Sequence, residues 1–394
     1  MSWKRLRPWF RKTKERTLNW PGRFRPALFS VIALAMIIVS GCTSVSQTTE
    51  PIQNGSEENH LGQSNPDGLL SDNTDVTAST PPEAPNSSGT IVNPDATTDQ
   101  TSLVDALRGT PSSNSLSRPI MVMVENSPAA RPQTGLEKAD VIYEILAEGE
   151  ITRFAAIFHS KKPGTIGPVR SIRPYYVQIG AAIDAVIVHA GWSQDGMNAI
   201  KKYKADHFDQ VYGDEAYYWR DKSRKMPHNL YTGIDRILKG IEAKKKRTDW
   251  TAKGFLFDPS GNALQIGEAA TEVHIPYLYG YHVDYAWNEK VARYVRSMNN
   301  KPHYDAETGN DLMAANLLIC KSKHKVLDEK FRRDVDVIGP GKGWLAQNGR
   351  IIPITWKMSA GLVRAFDASG TELHMNPGQT WIQFVQPEFK VAWK

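Results

Sequence analysis

Five arginines lie beside short apolar runs in the middle of this 394-residue chain: Arg131, Arg153, Arg170, Arg173 and Arg220. Glu125, Glu144 and Glu148 share the neighbourhood. A guanidinium presents a planar fork that pairs with a carboxylate or phosphate through two parallel hydrogen bonds. Polar groups at the ends of buried strands are also where binding sites on α/β sheets collect. Two readings follow. Either Arg131, Arg153, Arg170, Arg173, Arg220 and Asn229 line a cleft for an anionic ligand, or the arginines and glutamates form a structural network.

Two histidines could do acid–base chemistry. His189 ends an apolar run, and His228 stands between Pro227 and Asn229. Paired with Glu144 or Glu148, either could serve a hydrolase or transferase as a general base. A serine nucleophile needs a strained Gly-x-Ser-x-Gly turn. Gly191-Trp192-Ser193-Gln194-Asp195 lacks the second glycine, so Ser193 reads as a helix N-cap. No complete catalytic signature is present, and a non-enzyme is the favoured reading.

His282 with Asp284, and His303 with Asp305, alternate at strand spacing, but no Cys/His spacing of zinc type occurs. Neither a metal nor a cofactor is expected. Gly339-Pro340-Gly341-Lys342-Gly343 lacks the form of a phosphate-binding loop and reads as a hairpin loop. The basic run from Lys244 to Arg247 ends a helical pattern, where cations complement the dipole. Nucleic acid is not an expected partner.

The elements that must position these groups follow from hydrophobic periodicity. Compact apolar runs predict buried strands at 119–124 and 185–188, and a hairpin joining 139–146 to 152–158 through Glu148-Gly149-Glu150. Spacing of three and four predicts helices over 171–183, 193–203 and 233–246. From about residue 271 the period drops to two. Strands are predicted at 272–275, 282–287, 292–297, 316–320, 351–356, 362–366 and 380–385. The fold class is α+β: a mixed α/β N-terminal domain (118–270), then a β-rich C-terminal domain (271–394), a sandwich or open barrel.

The N-terminus carries an export signal over residues 1–41. Nine Lys/Arg and one acid precede an apolar run from Ala27 to Val39. Its roughly 13 residues fall short of the ~20 that span a bilayer core. Val39-Ser40-Gly41-Cys42 is a lipobox: small residues, then the cysteine that accepts diacylglycerol before cleavage. Two acyl chains anchor far better than one. The chain is thus expected on the outer face of the cell membrane, held through lipid on Cys42. Residues 42–117, rich in Ser, Thr, Asn, Asp, Pro and Gly, are expected to be a disordered tether. The other cysteine, Cys320, sits in an apolar run and reads as a core residue.

The formal charge of +6 divides unevenly. The export signal holds +8, the stretch 43–117 holds −9, and the body from Arg118 onward holds +7. With a basic body at an anionic surface, the expected partner is a cell-envelope ligand: an anionic wall polymer, a glycan fragment or a surface protein.

Several segments resemble the YerB family of bacterial lipoproteins, a two-domain family of unknown function. They are Arg118 to Asn126, Ala130 to Leu136, Ala139 to Glu144, Glu148 to Arg153, Ile166 to Arg173, His189 to Ser193 and Pro227 to Tyr231. In the second half they are Tyr285 to Trp287, Trp344 with Asn348-Gly349, Trp356-Lys357 and Pro377 to Trp381. The resemblance covers 118–394. It implies an α/β domain followed by a β-rich one, and no activity. Cys320 departs from the aliphatic residue expected there.

Overall fold

The computed structural model describes residues 104–394, except residue 251. The export signal, Cys42 and the tether up to residue 103 lie outside the described residues. The first half supplies β1 (Ile120–Glu125), β2 (Val141–Leu146), β3 (Thr152–Phe158), α1 (Pro174–Ala182), β4 (Val186–His189), α2 (Gln194–Tyr203), β5 (His207–Asp209), β6 (Tyr218–Arg220), β7 (Leu230–Thr232) and α3 (Ile234–Ala243). In the second half come β8 (Glu268–Ala269), β9 (Glu272–Leu278), β10 (Tyr281–Asn288), β11 (Arg293–Met298), β12 (Lys301–Pro302), β13 (Met313–Ala314) and β14 (Asn316–Lys321). The chain ends with β15 (His324–Val326), β16 (Arg333–Val335), β17 (Gly341–Gln347), β18 (Arg350–Ser359), β19 (Leu362–Phe366), β20 (Thr380–Val385) and β21 (Ala392–Trp393).

The fold class is the expected one, a mixed α/β first half and a β-rich second half. The two halves nevertheless share one sheet, ordered β19-β18-β17-β14-β20-β2-β3-β1-β4-β5, with β8 beside β18. The seam is β20, which runs parallel to both β14 and β2 and sets Trp381 opposite Leu317 and Ile142. Strands β1, β2 and β3 are buried at every position. That is why they read as unbroken apolar runs: both faces of the sheet are covered.

One face carries α1 and α2, with Met121, Met123, Tyr143, Ile145 and Ile157 under them. The other carries a six-stranded sheet, β12-β11-β10-β9-β21 with β13. That sheet turns Val273, Ile275, Tyr277, Val283, Tyr285 and Tyr294 inward onto Ile142, Phe154 and Trp381. Its strands alternate buried and open positions, the period of a sheet wet on one side. Ser193 caps α2 by accepting from the Gly196 amide at 3.1 Å, as its spacing predicts. Cys320 is fully buried in β14, and burial pushes its thiol pKa well up.

Two boundaries differ from the expectation. Residues 104–117 pack against the body instead of joining the tether. Leu107 is fully buried, and the Asp105 carboxylate accepts from Ser115 at 2.7 Å and pairs with His159 Nδ1 at 2.6 Å. Two leucines nine residues apart in a polar stretch, Leu107 and Leu116, make no period to reveal them. The glycine-rich loop ends at Pro340, because Gly341 and Gly343 already pair in β17. A Cβ at Gly343 would lie 2.1 Å from the Ile319 carbonyl oxygen, so close strand approach requires the glycine.

Candidate functional site

Glu125 is the last residue of β1, and its carboxylate is 2% exposed. Three separate segments converge on it. Ser127 Oγ donates at 2.7 Å, His228 Nδ1 lies 2.9 Å from both carboxylate oxygens, and Arg170 Nε approaches to 3.1 Å. The Arg170 segment is held by backbone bonds on both sides, from Arg170 N to Met123 O and from Val169 N to Leu230 O. Gly167 makes this possible, since a Cβ there would strike the Tyr231 ring and the Leu230 carbonyl. His228 and Arg170 stay 24% and 30% exposed above the buried carboxylate.

Arg220 and Asn229 brace this site from behind and do not line it. Asn229 donates to the carbonyls of Asp221 and Arg224 and accepts from Arg220 Nη1 at 2.9 Å. That fixes the loop carrying His228. Arg131 is spent elsewhere: it bonds the Asn126 side chain and carbonyl and stacks on Tyr281.

A second cluster lies along the same segment. Glu148 is shared by Arg153 at 2.8 Å and by Arg173. Arg153 also donates to the Ser171 carbonyl at 2.6 Å, and Arg173 to Ser171 Oγ at 3.1 Å. Burial alone would raise the Glu148 pKa, but the two guanidiniums hold it down at about 2. This cluster is a structural network in which both guanidiniums are engaged, though Glu148 Oε2 and Arg173 Nε make no hydrogen bond among the described residues.

Glu144 joins neither cluster. Side chains on a strand alternate between faces, and Glu125 opposes Arg153 in the β1–β3 ladder while Glu144 opposes Phe154 in β2–β3. The opposite parity turns Glu144 under the small sheet, where it meets Arg296. His189 is elsewhere again. It is buried at the end of β4, 3.1 Å from His207 and 3.8 Å from Asp209. Desolvation drives its pKa down to about 4 despite Asp209. Neither histidine therefore pairs with Glu144 or Glu148. His228 takes Glu125, whereas the His189 ring nitrogens face the Gly191 carbonyl at 3.0 Å and His207 Nδ1 at 3.1 Å.

The sequence offered Glu125 only as one of three carboxylates that could meet the arginines, and Ser127 was missed. Glu125 was legible in principle, as a charge closing an apolar strand that must face inward. Ser127, His228 and Glu125 do not form a relay. Ser127 and Glu125 both face Nδ1, and the serine hydroxyl donates to the carboxylate directly. A triad needs the nucleophile at the other ring nitrogen. The arrangement can hold His228 in one orientation through Nδ1, on the carboxylate that Arg170 also approaches.

Among the described residues no helix is long and apolar enough to cross a membrane. Residues 107–248 match the N-terminal domain of the family described as "Protein of unknown function (DUF3048)", and residues 273–382 match its C-terminal domain. A protein of Bacillus subtilis (strain 168) named "Putative lipoprotein YerB" is 38% identical over 280 residues, which is 70% of this chain and 83% of that one. The crystal structure of the YerB protein from Bacillus subtilis superposes with a TM-score of 0.66 at 36% identity, covering 74% of this chain and 99% of the other. With both domains matched in order and a relative 38% identical over 83% of its own length, this chain belongs to the two-domain YerB family, DUF3048.

Proposed function

We propose that the chain is a lipid-anchored protein on the outer face of the cell membrane, and that the Glu125–Arg170–His228 site binds an anionic group of a wall polymer. One observation carries the binding reading. Arg170 approaches Glu125 through Nε as an ion pair that lacks hydrogen-bond geometry, and of the five arginines it alone keeps both terminal nitrogens without a hydrogen-bond partner among the described residues. That pair of donors suits a phosphate or carboxylate. The buried Glu125 beneath fixes the side chain in advance and so reduces the entropy lost on binding. The net charge of +7 from Arg118 onward favours approach to such a polymer.

The anchor rests on the lipobox ending at Cys42 and on a relative named as a lipoprotein. Cys42→Ala should yield an uncleaved precursor without lipid label, and a labelled mutant would refute the assignment. For binding, the full-length protein in detergent is titrated with purified anionic wall polymer. Arg170→Ala should weaken binding at least about tenfold, the effect of losing one charge-assisted pair. Equal binding by the mutant would remove the site.

A second reading has its own observation: His228 is held by Glu125 at 2.9 Å, as a general base of a hydrolase or transferase would be. Loss of wall-polymer turnover in His228→Ala, with binding retained, would favour that enzyme over the binder.

A further inference from the structure

We propose that the outer face of the small sheet holds a divalent transition metal of the zinc class, bound by His274, His282 and Asp284. The register makes the cluster. His274 of β9 stands directly opposite Asp284 of β10, and His282 precedes Asp284 by two residues, on the same side of the strand. The inward neighbours Val273, Ile275, Val283 and Tyr285 are buried, so the alternation turns the three polar side chains outward together.

Their donor atoms all lie within 4.8 Å of one another. His274 Nδ1 is 2.6 Å from Asp284 Oδ1, and His282 Nε2 is 3.3 Å from Asp284 Oδ2. Zinc bonds of about 2.0–2.1 Å in a tetrahedron place donors roughly 3.4 Å apart. The His282–Asp284 spacing already fits, and the His274 contact opens by a small side-chain rotation. A second observation points to a ligand. Asp284 Oδ2 is closed off from solvent and, apart from the 3.3 Å approach of His282 Nε2, has no hydrogen-bond partner among the described residues, an arrangement that a bound cation would relieve.

The chemistry selects the ion. Two imidazoles and one carboxylate suit zinc and its neighbours, whereas calcium and magnesium take oxygen ligands. Three protein ligands leave a coordination position open. It faces a cavity of about 430 Å³ beside His274 and Asp284, lined also by Ser297, Asn300 and Lys394. A water or an anionic oxygen could occupy that position. The spacing of the ligands hid the site from the sequence, since His274 lies eight residues before His282 across a turn.

The test uses the full-length protein in detergent, titrated with zinc by calorimetry and with cobalt(II) by visible absorption. One zinc per chain is expected, with a tetrahedral cobalt band. His274→Ala and His282→Gln should each weaken zinc binding at least about tenfold, no less than the loss caused by a supporting residue. Melting without metal should be unchanged in both variants, and added zinc should raise the melting temperature of the wild type alone. Absence of zinc binding in the wild type, or equal binding and equal thermal shifts in both variants, would overturn the site.

Discussion

Glu144 of β2 and Arg296 of β11 form an ion pair at 2.8 Å with both side chains fully buried. The guanidinium is stacked among Phe154, Tyr285 and Trp381, and its Nε donates to His303 Nδ1. Burial opposes its charge, but Glu144 together with Tyr285, Tyr281 and Tyr277 outweighs this and holds the Arg296 pKa above its usual value. Glu144 also accepts from Thr152 at 2.8 Å and from Asn126 at 3.3 Å. The pair ties the shared sheet to the small sheet laid over it.

Removing one member leaves a buried charge without its partner. Arg296→Met should cost roughly 3–5 kcal/mol. Adding Glu144→Gln should restore a good part of that, because the stranded carboxylate is gone. Urea unfolding of both variants measures it. A loss below about 1 kcal/mol in the single mutant would show that water reaches the pair.

The two arginine clusters should respond differently to truncation. Glu125 keeps Ser127 and His228 when Arg170 is lost, and Arg170 is 30% exposed. Arg170→Ala should therefore change stability by no more than about 1 kcal/mol. Arg153 is 4% exposed and bonds both Glu148 and the Ser171 carbonyl. Arg153→Ala should cost roughly 2–3 kcal/mol, the penalty being reduced by solvent at Glu148. Thermal melts compare the two, and the reverse order would assign the structural role to Arg170.

Acid should weaken the fold in two steps. In the folded chain His189 stays neutral down to about pH 4, against 6.5 when unperturbed, because burial disfavours its charged form. Between those values the unfolded chain binds more protons, so stability falls as pH drops from 6.5 to 4. Glu148 acts lower. Its folded pKa of about 2 against 4.5 gives stability that is present above 4.5 and lost as pH falls toward 2. Urea midpoints followed through the acid range should show both. His189→Gln should reduce the slope in the upper part without removing it, because burial also lowers the pKa of His207, His303 and His324, and an unchanged slope there would mean that those groups carry it.

Limited proteolysis should leave a core that begins close to Val104. Leu107 is fully buried, and Asp105 is held by His159 and Ser115, so cleavage just before Arg118 requires local unfolding. Mass spectrometry of the stable fragment reads the boundary. A core starting at 118 would mean that the 104–117 segment detaches readily.

The elements were legible because each is specified by neighbours in the chain. The hairpin around Gly149, the cap at Ser193 and the apolar face of α3 all appear where local period and capping chemistry put them. The motif Val39-Ser40-Gly41-Cys42, from which the lipid anchor is proposed, is likewise read from adjacent residues alone. The gathering of groups from distant segments was not legible. Arg170 and His228 come together on Glu125 because β1, the 167–170 segment and β7 are held by long-range backbone bonds. Glu144 was expected beside the arginines and lies on the other face, since a strand's parity has meaning only once both faces have neighbours. The same holds for β20, whose sequence reads as one more strand of the second half. Only packing decides that it joins β2, because a buried apolar strand carries no mark of which edges it will pair.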